Sequence, residues 1–287
     1  MRHVSFFFLV AIGAVAACED SIHGGWLVDR PRVLGARVSA VADANRAALV
    51  PGERARVEWL VASPEGPPRL AWTFAVCNAP DGLFARPRCE RAVVASGSGE
   101  SSSELITTEL AVPPAQALAG ARELLVLAAF CSDGAPTLDP RAFTATCASG
   151  DALLASVLAR VDGANANPPA PAVRLGDVPL APDERGEGCD VAHKVAPGAA
   201  VDVVHVFGGA VREPGESVTL STIVTGGELD RQYSTFDAEE AAPKEVRVAW
   251  KAPEDVPAAG RVVRLYALLR DDRGGASFAR FSVCVRP

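Results

Sequence analysis

Apolar residues recur at every second position through most of this chain. Val57, Trp59 and Val61 alternate with Arg56 and Glu58, and Leu70, Trp72, Phe74 and Val76 repeat the pattern after a turn at 64–68. A period of two puts one face of an extended strand in a core and the other toward water, so Trp59 and Trp72 read as core residues rather than as an exposed aromatic platform. The same patterning predicts strands at 32–42, 105–112, 123–130, 173–180, 201–207, 218–224, 246–250, 262–269 and 276–285. Asp271-Asp272-Arg273-Gly274-Gly275 separates the last two as a hairpin turn, with glycine where positive φ is needed. Residues 152–161 fit either period. Leu154, Val157, Leu158 and Val161 make a helical face, whereas Leu153, Ala155, Val157, Ala159 and Val161 make a strand face. The surrounding strands decide for a strand. Many short strands with turns between them predict an all-β chain built as β-sandwich.

Some stretches break the pattern. Arg2 precedes an uncharged run of 14 residues, Val4 to Ala17, which closes on Val15-Ala16-Ala17-Cys18. The run suits a secretory signal and is short for a membrane span. Its end resembles the lipobox of bacterial lipoproteins: a branched apolar residue, two small residues and the cysteine that is modified. The resemblance implies cleavage after Ala17 and acylation of Cys18, holding residues 18–31 as a lipidated tether. Two or more acyl chains give a stable hold where one is marginal. The alternative is an ordinary signal peptide over residues 1–17, with Cys18 a structural thiol. An outer membrane of a Gram-negative bacterium is the expected location, and the leaflet stays open.

Removal of residues 1–17 leaves 270 residues, and the formal charge of −7 becomes −8 because only Arg2 is lost. That acidity disfavours nucleic acid as a partner. The longest later apolar run, Leu124 to Cys131, has eight residues, so the expected chain is anchored rather than spanning. Six cysteines remain: Cys77, Cys89, Cys131, Cys147, Cys189 and Cys284. An even number in an exported chain favours disulfides, and the scattered spacing without Cys-x-x-Cys disfavours metal.

Residues 78–103 and 131–150 read as long loops, the first ending in Ser96-Gly97-Ser98-Gly99-Glu100-Ser101-Ser102-Ser103. The proline-rich stretch 163–171 marks a domain boundary, with domains at 32–162 and 172–287. An internal repeat accompanies it. Pro51-Gly52-Glu53 and the strand after it align with Pro214-Gly215-Glu216 and its strand, and Gly120 aligns with Gly260. This layout resembles tandem immunoglobulin-like domains of the PKD or fibronectin type III kind. On that resemblance the first copy is longer by 23 residues, 68 against 45 between the paired glycines, with Cys77 and Cys89 in the excess. The fold implied by the resemblance puts Cys77 and Cys131 at opposite ends of antiparallel strands. That favours the pairs Cys77–Cys89, Cys131–Cys147 and Cys189–Cys284, while sequence alone leaves the connectivity open.

Catalytic chemistry has few candidates. The histidines after the leader are His23 in the tether, His193, and His205 in an alternating strand where a structural role is expected. No nucleophile elbow, zinc-binding His-Glu-x-x-His, phosphate loop or dinucleotide fingerprint occurs. Glu239-Glu240 and Asp271-Asp272 read as solvated loop charge. Residues 162–169 faintly resemble the calcium-binding linker of cadherins, but Ala166 replaces the central aspartate and Asp162 is the main carboxylate. No cofactor, metal or catalytic residue is expected. The expectation is a non-catalytic binding or adhesion module that meets the membrane through Cys18 and an unidentified envelope protein or extracellular ligand through its loops. A structural spacer and an envelope enzyme with an unrecognised site are the alternatives.

Overall fold

The computed structural model describes residues 25–80, 87–161, 163–183, 188–208, 213–240 and 243–287. The leader, Cys18, His23 and Asp162 lie outside the described residues. The first half contains β1 (Arg32–Ala40), β2 (Arg54–Ala62), β3 (Leu70–Asn78), β4 (Ala95–Ser101), β5 (Leu105–Ala111), the single-turn helix α1 (Ala115–Leu118), β6 (Glu123–Cys131), β7 (Thr137–Asp139), β8 (Thr144–Thr146) and β9 (Leu153–Arg160). The second contains β10 (Ala172–Leu175), β11 (Val178–Leu180), β12 (His193–Val195), β13 (Ala200–Val206), β14 (Val218–Val224), β15 (Glu228–Leu229), β16 (Tyr233–Phe236), β17 (Glu245–Lys251), β18 (Arg261–Asp271) and β19 (Ala276–Val285). The chain is all-β, and its sheets are stacked as β-sandwich.

In the first half, sheet β1-β2-β5 faces sheet β4-β3-β6-β9. The alternating residues read from the sequence fill the space between them, with Val57, Trp59, Val126 and Phe130 all buried. Trp59 meets Phe130 edge-on at 5.9 Å between centroids. In the second half, β11-β10-β13-β17-β15 faces β12-β19-β18-β14-β16 around a separate core that includes Val203, Leu220, Trp250 and Phe281. Residues 152–161 form a strand, as their context predicted.

Several sequence-based expectations need correction. The Ser-Gly run is not loop: Ala95–Ser101 is a strand paired antiparallel to β3, with Gly97 opposite Phe74 and Gly99 opposite Trp72. Both aromatic rings lie over the edge strand. A β-carbon on Gly99 would stand 2.5 Å from Trp72 Cζ2, and one on Gly97 would stand 2.7 Å from Phe74 Cε1. Glycine at alternate positions is therefore a packing requirement, not a flexibility signal. The second expected loop also carries structure, the β7–β8 hairpin. The expected strand 173–180 is a hairpin of two, folded at Gly176, whose φ is 58°.

The repeat is real but offset from its expected alignment. Gly52 N–H donates to Val112 O at 3.2 Å and Val112 N–H to Glu53 O at 2.8 Å. Gly198 N–H donates to Pro253 O at 3.3 Å and Ala252 N–H to Ala199 O at 2.9 Å. The strands that follow keep step, since Ala55 pairs Leu110 as Val201 pairs Trp250, and Trp59 pairs Ile106 as His205 pairs Val246. Pro51-Gly52 thus corresponds to Pro197-Gly198. Pro214-Gly215-Glu216 is a second use of the same turn one strand later, with Glu216 accepting from the N–H of Glu213 as Glu53 does from Val50. From Gly52 to Gly120 is 68 positions and from Gly198 to Gly260 is 62, so the excess of 23 shrinks to 6.

The tether and the linker also have parts built into the fold. Val224 N–H donates to Trp26 O and Val28 N–H to Val224 O, both at 2.8 Å, and Val28 is fully buried. Residues 26–28, expected in the tether, extend the second half although they precede β1. In the proline-rich stretch, Asn167 Nδ2 donates to Val38 O at 2.9 Å, and Asn167 Oδ1 accepts from Ala276 N–H at 2.9 Å. A plain spacer would leave both groups to water.

Candidate functional site

Three features of the described residues concern function: the stapled segments of the first half, the contact between the halves, and a slot along one sheet edge.

The disulfides are Cys77–Cys89, Cys131–Cys147 and Cys189–Cys284, with Cα separations of 5.7, 5.6 and 4.9 Å. The first two are the pairs that strand direction in the implied fold favoured, and the third is the pair that remained; the excess length assigned to the first copy is not what sets Cys77–Cys89. Cys77 and Cys131 lie at opposite ends of neighbouring strands, yet their loops meet. Cys89 N–H donates to Pro140 O at 2.8 Å. Leu138 and Phe143 pack on Leu125, Leu127 and the first disulfide, against the outer face of the β3–β6–β9 sheet. The segments are a cover over that face rather than free tips. Exposed ground remains at Val93 and Val94, 42% and 38% accessible. At Gly260, φ is 87° and a β-carbon would stand 3.1 Å from both sulfurs of Cys189–Cys284, which restricts that turn to glycine.

Between the halves, Val28, Leu34, Leu60 and Ala62 pack against Ile223, Tyr266 and Leu268. A charged cluster lies beside this apolar patch. Glu104, fully buried just before β5, accepts from Arg280 Nη1 at 2.8 Å and from the Tyr266 hydroxyl at 3.2 Å. Arg264 Nε stands 3.5 Å from it, an ion-pair distance at which that nitrogen makes no aligned hydrogen bond. Burial, with the Glu104 carboxylate alongside, raises the Tyr266 hydroxyl well above its ordinary range, so it stays a donor. Arg280 also donates through Nε to Asp183 O, and Arg270 donates to Leu34 O. No sequence period announces Glu104; it is one acid after a serine run.

The third feature is an open edge. β9 ends its sheet, and β1 runs beside it in the facing sheet without bonding to it. Among the described residues its far end is occupied, where Leu49 N–H donates to Arg160 O at 2.8 Å, and the Gly274 turn lies close to Leu158 O. A slot of about 600 Å3 separates the two strands, lined by the unbroken runs Leu154–Leu158 and Val33–Ala36. Successive strand residues point to opposite faces, so an unbroken run along one cavity means that the cavity follows the strand's edge. Trp59 and Leu125 add apolar wall, and the Gly274-Gly275 turn of the second half contributes at one side.

The titratable groups singled out from the sequence are placed as follows. His205 is 1% exposed, with Nε2 2.8 Å from Thr222 Oγ1 in the facing sheet, and burial lowers its imidazole to about 4. His193 lies in β12, beside β19. Asp271 Oδ1 accepts from the N–H of Arg273 and Gly275 at 2.9 and 2.7 Å and so holds the hairpin turn; burial raises its pKa. Glu239 and Glu240 lie in a surface turn. The pockets of the described residues take in only Asp271 of these five residues, so no cleft brings them together. Among the described residues no three metal-binding side chains converge, and no helix is long and apolar enough to cross a membrane.

No protein-family model matches the sequence, and no curated protein does. Among solved structures, the chain is similar to dimeric latent PorU from Porphyromonas gingivalis, at 10% identity over 90% of this chain and 24% of that one, with a TM-score of 0.25. It is also similar to a structure concerning host cell surface retention of a 1.5-MDa bacterial ice-binding adhesin. There the identity is 10% over 90% of this chain and 66% of that one, with a TM-score of 0.24. The chain thus spans about a quarter of the first and just under two thirds of the second. Likeness at these scores carries no functional argument.

Proposed function

We propose that this chain is a lipid-anchored cell-envelope protein in which two tandem immunoglobulin-like domains serve as a non-catalytic binding or adhesion module. The observation that carries the proposal is the combination of three disulfides with stapled segments folded onto a β scaffold. Disulfides persist in oxidising compartments, which agrees with the secretory leader. The matching turn and register of β2–β5 and β13–β17 support a duplicated unit. Rigid scaffolds with irregular segments are where binding generally resides.

A spacer or assembly role is the second reading, and one observation favours it: the buried Glu104 cluster and the Leu34–Leu268 patch couple the halves. Protease shaving of intact cells, read with an antibody to residues 170–287, separates the two. Loss of the band while a periplasmic marker survives places the module outside the cell and favours binding. Protection places it in the periplasm and favours the spacer. A Cys18→Ala protein that still fractionates with membranes overturns the lipid anchor.

A further inference from the structure

We infer that the slot between β1 and β9 is a strand-addition site: it takes an extended peptide of a partner protein, which pairs with the free edge of β9. The inference rests on the binding-module reading above and names the partner's chemistry.

The edges of this molecule are unequal. Edge strands normally carry charge, proline, bulges or very short length, because their unpaired N–H and C=O groups otherwise recruit another strand. Here β15 has two residues, β11 and β12 three each and β16 four. β5 carries Glu109, paired with Arg54 and Arg56. β1 is bulged between Val33 and Gly35, and β4 alternates serine with ring-covered glycine. β9 carries no proline or bulge, and its one charge, Arg160, stands at its last residue. It runs Leu153-Leu-Ala-Ser-Val-Leu-Ala159 without charge or proline, and Leu154 is 38% exposed. The longest unprotected edge among the described residues is thus also the edge that lines a cavity.

The occupant follows from the walls. Edge groups of β9 ask for a backbone partner, and the apolar wall of Trp59, Leu125 and Val33 takes alternate side chains of an extended peptide. The five residues Leu154–Leu158 match a peptide of about five residues at roughly 3.3 Å per residue. A second copy joined edge to edge over that length would bury on the order of a few hundred Å2, below what stable association needs. A peptide lying between β1 and β9 contacts both walls instead. Charge selects further. Of the charged residues lining the slot, Arg270 is held by Leu34 O and Asp271 by its own turn, whereas the Glu123 carboxylate has no partner among the described residues. The peptide is therefore uncharged through its middle, with a basic residue where it passes Glu123.

The test pans random ten-residue peptides on the whole mature chain carrying Cys18→Ser. Enriched peptides should alternate apolar and polar residues, carry Lys or Arg near one end, and protect amides of 153–159 from hydrogen exchange. Leu154→Lys should weaken a synthesised winner by about tenfold or more at an unchanged melting temperature, since a charged edge opposes strand addition. Glu123→Lys should abolish the preference for the basic end. Failure to enrich any peptide overturns the inference, as does protection that maps outside β9 and β1. Dimerisation of the chain that itself protects 153–159 and that Leu154→Lys reverses also overturns it, by making a second copy the occupant. None of these outcomes touches the shaving experiment, so the slot and the binding-module reading fail separately.

Discussion

Replacing Glu104 with alanine would leave two guanidinium groups and a phenol facing an emptied, dry site. Arg264 and Arg280 expose only 9% and 12% of their side chains, so water cannot readily replace the lost carboxylate. Removing one partner of a buried ion pair costs about 3–5 kcal/mol, most of it the penalty of stranding the remaining charge. In a chain of this size each kcal/mol moves the melting temperature by about 2–4 °C, so a fall of about 10 °C is expected. The assay is thermal and urea unfolding of the mature chain, with Arg69→Ala as an internal control. Arg69 and Glu100 pair at 3.3 Å but are 82% and 68% exposed, and losing them should cost less than about 0.5 kcal/mol. Glu104 belongs to the first half and its partners to the second. A single unfolding transition in the wild type should therefore separate into two in the variant. Replacing Glu104, Arg264 and Arg280 together with apolar residues of similar volume should recover much of the loss, because no charge is then left buried. A Glu104→Ala melting temperature within the range of the Arg69→Ala control would refute the claim that this cluster couples the halves.

His205 gives a pH dependence of known sign. Its imidazole is lowered from 6.5 to about 4 in the fold, so the unfolded chain binds more protons across that window. Stability from this group is complete above about pH 6.5 and falls with pH by about 3 kcal/mol in total by pH 4, a slope that His205→Gln should remove in urea melts taken at several pH values. Gly99→Ala should destabilise by about 1–3 kcal/mol by forcing the Trp72 ring off β4, seen as a lower urea midpoint; no change would mean the ring moves freely. Replacing Cys189 and Cys284 with serine opens a loop of 95 residues and should cost about 4–5 kcal/mol. The Cys131–Cys147 loop of 16 should cost about 3, measured on the paired serine variants. Asn167→Ala should cost about 1–3 kcal/mol, since its amide bridges Val38 O and Ala276 N–H.

The sequence by itself determined what local alternation determines. Period two announces the strands, and Val57, Trp59, Val61, Leu70 and Phe74 are buried where it puts them. Glu58 and Leu60 on the other face of β2 are buried as well, and Trp72 is only partly so. Hairpin chemistry was equally local: Gly274 has φ of 92° in the turn between β18 and β19. The pairs Cys77–Cys89 and Cys131–Cys147 followed from strand direction, a property of the implied fold rather than of any spacing, and Cys189–Cys284 was what remained. What distant parts of the chain supply was not legible. Ser96-Gly-Ser-Gly99 looks flexible because its partners, Phe74 and Trp72, lie more than twenty residues earlier; the hint was that both stretches keep period two. The repeat was misaligned because Pro-Gly turns occur twice in the second half, Pro197-Gly198 and Pro214-Gly215, and only pairing shows which precedes the matching strand. Trp26 to Val28 and Asn167 read as tether and linker, since their bonds to Val224, Val38 and Ala276 join segments far apart in the chain. The slot and the Glu104 cluster are the extreme cases. An unpaired edge, or a dry carboxylate between two arginines, exists only once the sheets are stacked and the halves meet, because burial is a property of the assembled surface and not of any residue in it.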